Sequence, residues 1–330
     1  MNNKKTDAIF TMILFVLMIF AMGVYFFKIP EPYILDVDMS TDVDDVCAVR
    51  VATQLSHDKE IDLKAVMYCV SSKDDLNIKA LRGLLVYDDC KNVKIGRSSL
   101  YIEDTSPYWD DLAEYSDGNN ESEDAVKLYR KILANSKKKV NIVTTGYLTN
   151  IELLLKSEPD EISNLSGMEL VKRKCKQLYI TGGAQPEGFD NNFFFRQSAI
   201  DAIKYVNDNF PMPIIYFPSN VGGKLICGNE IQQIDVNRED VVTKALDEFG
   251  TTNGRAAWDP FAMWAASYKL KPSTELGLKK IDMIIHDDGS NSIIDNVEGR
   301  HFAVFLLSDD LEKYNKKLDD IVTKKYKESH

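Results

Sequence analysis

The 330-residue chain is short of several things that would define its chemistry at once. Histidine occurs only four times, as His57, His286, His301 and His330. They sit in a polar turn, beside a late β-rich segment and at the chain end, so none is assigned a role. The five cysteines (Cys47, Cys69, Cys90, Cys175, Cys227) contain no C-x-x-C pair, which removes zinc ribbons and thiol redox motifs. Cys47 and Cys69 lie in apolar runs and read as small buried thiols. Positive charge is also in deficit: 40 Lys and Arg stand against 51 Asp and Glu, a net −11. A nucleic-acid-binding body needs a basic face, and this composition excludes one. Between Pro30 and His330 there is neither a Gly/Ser or Pro linker nor a repeat period, so residues 30–330 read as one large domain.

What the chain does have begins at its N-terminus. The 20 residues from Ala8 to Phe27 carry no charge and are nearly all apolar, the length of a bilayer-spanning helix. Residues 1–7, with Lys4 and Lys5, are expected in the cytoplasm, residues 8–27 as a transmembrane signal-anchor, and the body outside the membrane. A cleaved secretory signal is the alternative and would leave the body secreted.

Further on, short β-rich runs alternate with amphipathic stretches. Strands are expected at Tyr33 to Val37, Leu63 to Val70, Val93 to Ile95, Val140 to Thr144, Gln177 to Thr181 and Pro213 to Phe217. Helices are expected at Val46 to Leu55, Asn77 to Tyr87, Ala125 to Ala134, Leu148 to Leu155 and Ser198 to Asn207. The pattern predicts an α/β fold, a Rossmann-like, mostly parallel sheet with helices on both faces. In such a sheet ligands bind beyond the carboxyl ends of the strands. Those positions hold Asp36, Asp38, Asp42, Asp44 and Asp45 after the first strand, Thr144-Thr145-Gly146 after the fourth, and Gly182-Gly183 with Asp190-Asn191-Asn192 after the fifth.

Five carboxylates within ten residues repel one another unless a cation neutralises them, and hard oxygen ligands suit Ca²⁺ or Mg²⁺. The spacing is not that of an EF-hand loop. A solvated acidic turn that caps the following helix is the plainer reading of the same residues.

Asp36-x-Asp38 followed by Asp44-Asp45 resembles the N-terminal signature of the inosine/uridine-preferring nucleoside hydrolases, in the longer form found in a bacterial branch. Val143-Thr144-Thr145-Gly146-Tyr147-Leu148-Thr149-Asn150 resembles that family's Thr-Gly-Pro-Leu-Thr-Asn segment, with Tyr147 in place of Pro. Tyr179 to Ala184 resembles its Gly-Gly turn, Asp190-Asn191-Asn192 its Glu-Phe-Asn ribose segment, and Trp258-Asp259-Pro260 its late metal-binding signature. The resemblance implies calcium-dependent hydrolysis of the N-glycosidic bond of ribonucleosides, releasing base and ribose. It implies Ca²⁺ held by Asp38, Asp45, Asp259 and the Thr145 carbonyl, with Asp38 also the general base. Asp44, Asp190 and Asn192 would hold the sugar hydroxyls, Trp258 would stack on a purine, and Asp36 would support the site from behind. Tyr108 or Trp109 is the candidate for a second stacking face. The partners implied are a small-molecule nucleoside, the membrane through the N-terminal helix and, as in relatives, further copies of the chain. Two alternatives remain at this point. One is a haloacid-dehalogenase-type phosphatase with Asp36 as nucleophile; the other is a non-catalytic surface protein that binds a ribosyl ligand.

Overall fold

A strand that is apolar except for carboxylates near its ends, Glu31 and Asp36, cannot face water on either side along its middle, and the first strand behaves accordingly. The computed structural model of the chain describes residues 29–40, 42–268 and 275–329, and residues 31–330 form one compact unit. In chain order the strands are β1 (Glu31–Val37), β2 (Ile61–Tyr68), β3 (Lys94–Arg97), β4 (Glu123–Asp124), β5 (Val140–Thr144), β6 (Cys175–Thr181) and β7 (Glu187–Gly188). They continue with β8 (Ile214–Phe217), β9 (Ile226–Cys227), β10 (Arg255–Ala256), β11 (Leu276–Ile285), β12 (Asn291–Asp295) and β13 (His301–Leu306). β1 is buried from Pro32 to Val37 and pairs in parallel with β2 on one side and β5 on the other. The main sheet has 11 strands in the order β4-β3-β2-β1-β5-β6-β8-β13-β11-β12-β7. It is parallel from β4 through β13 and antiparallel among β13, β11, β12 and β7; β9 and β10 form a separate two-stranded antiparallel sheet.

The helices used below are α1 (Asp44–His57), α2 (Leu76–Tyr87), α3 (Ala125–Asn135), α4 (Thr149–Lys156), α5 (Gln197–Asn209), α6 (Trp258–Ser267) and α7 (Leu311–Val322). Side chains of β1 alternate between two cores. Tyr33, Leu35 and Val37 pack with residues of α1, α2, α6 and α7, and Ile34 packs with residues of α3, α4 and α5. Helices therefore cover both faces, and the sheet is mostly parallel, as the alternation of strand and helix predicts. All six expected strands and all five expected helices form, with ends displaced by a few residues. The antiparallel extension and the short strands β4, β7, β9 and β10 were not expected.

The N-terminal span requires a correction. A membrane-crossing helix needs about 20 apolar residues. Among the described residues no helix is long and apolar enough to cross a membrane; the longest, α1, has 14 residues and carries Asp44, Asp45 and Arg50. Residues 8–27, where the signal-anchor was expected, lie outside the described residues. Among the described residues the fold class is accordingly an α/β domain, with no helix that supports a membrane span. The membrane-anchored, extracytoplasmic placement built on the expected signal-anchor is supported by no helix among the described residues.

Candidate active site

The parallel order brings the carboxyl ends of β1, β5, β6 and β8 to one edge, and the site is assembled from the residues that follow them. Beyond β1 the chain turns sharply at Met39, which takes a positive φ of 25°. Its carbonyl accepts hydrogen bonds from the Tyr68 hydroxyl at 2.6 Å and the Trp109 indole N–H at 2.7 Å. The Tyr108 hydroxyl donates to the Asp42 carbonyl at 2.6 Å. Tyr108 and Trp109 are buried, so they brace the acidic loop from behind and do not offer a stacking face; that expectation is corrected.

Asp45 is reached from two sides. Its Oδ2 accepts from the Met39 N–H at 2.5 Å and its Oδ1 from the Thr145 hydroxyl at 2.7 Å. Thr145 comes this close because Gly146 follows it: a Cβ there would stand 2.7 Å from both the Asp38 nitrogen and the Cys69 sulfur. The Asn192 side-chain amide donates to the Thr145 carbonyl at 2.8 Å and to the Thr181 carbonyl at 3.2 Å. Asp190 caps the short helix Asn191–Phe194, accepting from the Asn192 N–H at 3.0 Å. At the start of α6, the Asp259 N–H donates to Asp44 Oδ2 at 3.1 Å, which joins the N-termini of α1 and α6. Trp258 donates its indole N–H to the Ser219 carbonyl at 2.8 Å and is seated against the Gly222-Gly223 turn.

Asp38, Asp44, Thr145, Asp190, Asn192, Trp258 and Asp259 thus line one cavity of about 250 Å³. Seven of the nine residues singled out from the sequence are brought together in that lining. Asp45 stands directly behind it on Thr145. Asp36 is 1% exposed and is held by the Tyr129 hydroxyl at 2.8 Å and the Asn150 amide at 3.1 Å. It does not line the cavity, so a phosphatase using Asp36 as nucleophile is not built here. The lining also contains Asp42, Thr181, Phe189, Asn191, Ser219 and Arg255, to which the sequence reading gave no site role. Ser219 follows β8 as Thr145 follows β5, so the strand-end rule, applied once more, would have found it.

The electrostatics follow from crowding like charges in a buried place. Asp38, Asp44 and Asp259 are each held well above the usual carboxylate range, first by burial and then by neighbouring carboxylates: Asp45 for Asp38, Asp42 for Asp44, Asp44 for Asp259. Burial also raises Asp45, against the hydrogen bonds it accepts. Asp190 is pushed up to about 6 and Asp36 to about 7 by burial. The donor set is all oxygen and strongly anionic, which suits a hard divalent cation. Among the described residues no three His, Cys, Asp or Glu side chains already surround a common point as ligands do. Here Asp45 accepts two hydrogen bonds and the Thr145 carbonyl one from donors of the chain itself, which leaves each with further lone pairs.

This geometry can be set beside known proteins. A model of the inosine-uridine preferring nucleoside hydrolase family matches residues 33–289. The chain belongs to that family. Nucleoside hydrolases cleave N-glycosyl bonds and typically bind a metal ion. The purine-preferring ribonucleoside hydrolase from Gardnerella vaginalis has the same fold, with a TM-score of 0.67 at 17% identity over 89% of this chain and 98% of that one. The inosine-uridine preferring nucleoside hydrolase from Bacillus anthracis aligns with a TM-score of 0.63 at 12% identity, covering 87% of this chain and 98% of that one. The type III effector XopQ, solved with adenosine diphosphate ribose, aligns at 0.62 with 16% identity over 90% and 93%. No curated protein matches the sequence of this hydrolase.

Proposed function

We propose that this nucleoside hydrolase acts on purine ribonucleosides with Ca²⁺ as its metal, releasing free base and ribose. The observation that carries the reading is the convergence of Asp38, Asp44, Thr145, Asp190, Asn192, Trp258 and Asp259, from four separate stretches of chain, on one cavity. Asp38, Asp45, Asp259 and the Thr145 carbonyl would hold the ion. When bound, it supplies Lewis acidity toward a water and coordination for sugar hydroxyls.

The remaining work falls to the chain. Asp38 takes the proton of the attacking water. Asp44, Asp190 and Asn192 hold the sugar hydroxyls, bonds that tighten as positive charge develops on the ring. Asp36 supports the end of β1 from behind. Thr181 adds a further contact: the residue lines the cavity and its buried hydroxyl has no hydrogen-bond partner among the described residues, so we assign it to a sugar oxygen. Trp258 and the half-exposed Phe189 supply aromatic surface for the base.

A binding-only reading, in which the site retains a ribosyl ligand without turnover, is favoured by one observation. The Asp190 carboxylate already accepts the Asn192 N–H as the cap of the short helix Asn191–Phe194, which leaves it less free for substrate. The two readings separate in one assay. Inosine, guanosine, adenosine and uridine are incubated with the protein in calcium and then in chelator, and free ribose is measured. The proposal expects calcium-dependent release that is faster from the purine ribosides. Calorimetric binding of the same ribosides with no ribose released would favour the binding protein.

A further inference from the structure

The departing purine is the part of this reaction that the residues placed so far leave without help. When C1′–N9 breaks, the electron pair stays on the base, and the ring nitrogens and any 6-oxygen carry the negative charge. Trp258 adjoins this region, and an indole cannot donate a proton near neutral pH. The cavity lining otherwise holds five carboxylates, Asp38, Asp42, Asp44, Asp190 and Asp259, which repel such an anion. Among the described lining residues the one cation is Arg255.

Arg255 is held as a fixed donor. Its Nε and Nη2 donate to the two oxygens of Asp42 at 2.9 and 2.6 Å. Its guanidinium packs over two aromatic rings, 5.3 Å from the centroids of both Phe249 and Trp258. Both Arg255 and Asp42 are 34% exposed at their side chains, so the pair borders the cavity opening and is not sealed in the core. The side-on edge of the guanidinium is consumed by Asp42, whereas Nη1 makes no hydrogen bond among the described residues. The end-on edge, Nη1 with the second hydrogen of Nη2, therefore keeps two parallel donors in a rigid plane.

We propose that Arg255, positioned by Asp42, binds the leaving base by this end-on edge and selects 6-oxopurine ribosides, the inosine and guanosine class. Such a base presents two adjacent acceptors, N7 and O6, which match a guanidinium fork; a 6-aminopurine offers N7 beside a donor and mismatches it. In the step, water oxygen bonds to C1′ as C1′–N9 breaks. The water proton passes to Asp38 and on to solvent. The electron pair leaves with the purine, whose N7 and O6 are held by the still protonated guanidinium until the base takes a proton from solvent. This inference rests on the hydrolase reading above and refines its substrate class.

The test measures kcat and KM of the full chain for inosine, guanosine, adenosine and a p-nitrophenyl ribofuranoside, whose leaving group needs no stabilisation. Arg255→Gln and Arg255→Lys are compared with wild type, and thermal unfolding is followed for each. Arg255→Gln is expected to lower kcat/KM for inosine and guanosine by about 10- to 100-fold, mainly in kcat. The loss should be at least ten times smaller for the p-nitrophenyl riboside, with adenosine between. Arg255→Lys keeps the charge without the fork and should recover only part of the loss. Equal losses on all four substrates, or an unchanged inosine rate, would overturn the role of Arg255 while leaving the hydrolase reading intact. If Arg255→Gln fails to fold, the ratio of inosine to p-nitrophenyl rates in Arg255→Lys decides, and a wild-type ratio overturns the inference. A wild-type protein that releases ribose from none of the substrates overturns both readings.

Discussion

Asp259 and Asp38 lie 221 positions apart in the chain, yet each raises the energy of the other's ionised form. Without a cation this cluster opposes folding, because burial and repulsion both act against the charged state. With a bound divalent ion the same residues stabilise the native state by linkage. Asp259→Asn should therefore reverse sign with conditions. In chelator it should unfold a few degrees above wild type, and in excess calcium below it, with calcium affinity lowered at least 10-fold by calorimetry and turnover at least 100-fold. A melting temperature lower than wild type in both conditions would mean that Asp259 is structural and not part of a cation site. Thr181→Val supplies a subtler test of the sugar end. It replaces a hydroxyl with a methyl of nearly the same shape, and the hydroxyl has no partner to lose among the described residues. The fold should be unaffected while kcat/KM falls about 3- to 10-fold, the value of one hydrogen bond. An unchanged kcat/KM would remove Thr181 from the sugar contacts.

At the scale of elements, the site depends on two loops approaching more closely than side chains permit. Gly146 lets the turn after β5 touch the Asp38 backbone, and the contact atoms there include main chain, which cannot swing aside. Gly146→Ala should cost about 1–3 kcal/mol in urea unfolding, and by shifting Thr145 away from Asp38 it should weaken calcium binding. Unaltered stability and calcium affinity would show that the turn tolerates separation. The elements that build this edge were readable because strand and helix carry different hydrophobic periods; β5 forms at the expected Val140–Thr144. The antiparallel part was harder to see. β11 runs through Lys279, Lys280 and Asp282 with an irregular burial pattern, and β9, β10 and β7 are two residues each, too short to carry any period. Arg255 went unread for that reason: it reaches the cavity from a two-residue strand whose pairing with Cys227 no local pattern announces. Tyr108 and Trp109 misled in the opposite direction. Aromatic rings in a polar segment suggest a ligand, but here their polar ends satisfy the carbonyls of a strained turn.

At the scale of the whole molecule, stability against pH should show a contribution that has nothing to do with the active site. His301 begins β13, the strand that joins the parallel sheet to its antiparallel extension, and it is only 3% exposed. Its Nδ1 accepts the Ile214 N–H at 3.0 Å, which requires a neutral ring. Burial, helped by the charge of Arg300, pushes its pKa down to about 4. In the unfolded chain an ordinary histidine titrates near 6.5, so between about pH 6.5 and 4 the unfolded state binds a proton that the folded state does not. The stability tied to the neutral ring is full above pH 6.5 and is lost as the pH falls toward 4. Asp319 works against this. Its carboxyl accepts the Gly228 and Glu230 N–H groups, and burial raises it to about 6, so its contribution is full below about 3.8 and declines as the pH rises through 6. The two trends partly cancel in wild type, and the difference between wild type and a variant isolates one of them. His301→Asn keeps an acceptor for Ile214 but has no ring to protonate. It should be less stable than wild type at pH 7.5, and the gap in urea unfolding energy should narrow by about 2–3 kcal/mol on going to pH 4.5. A gap that stays constant across that range would mean that His301 takes up its proton in the folded state as readily as in the unfolded one.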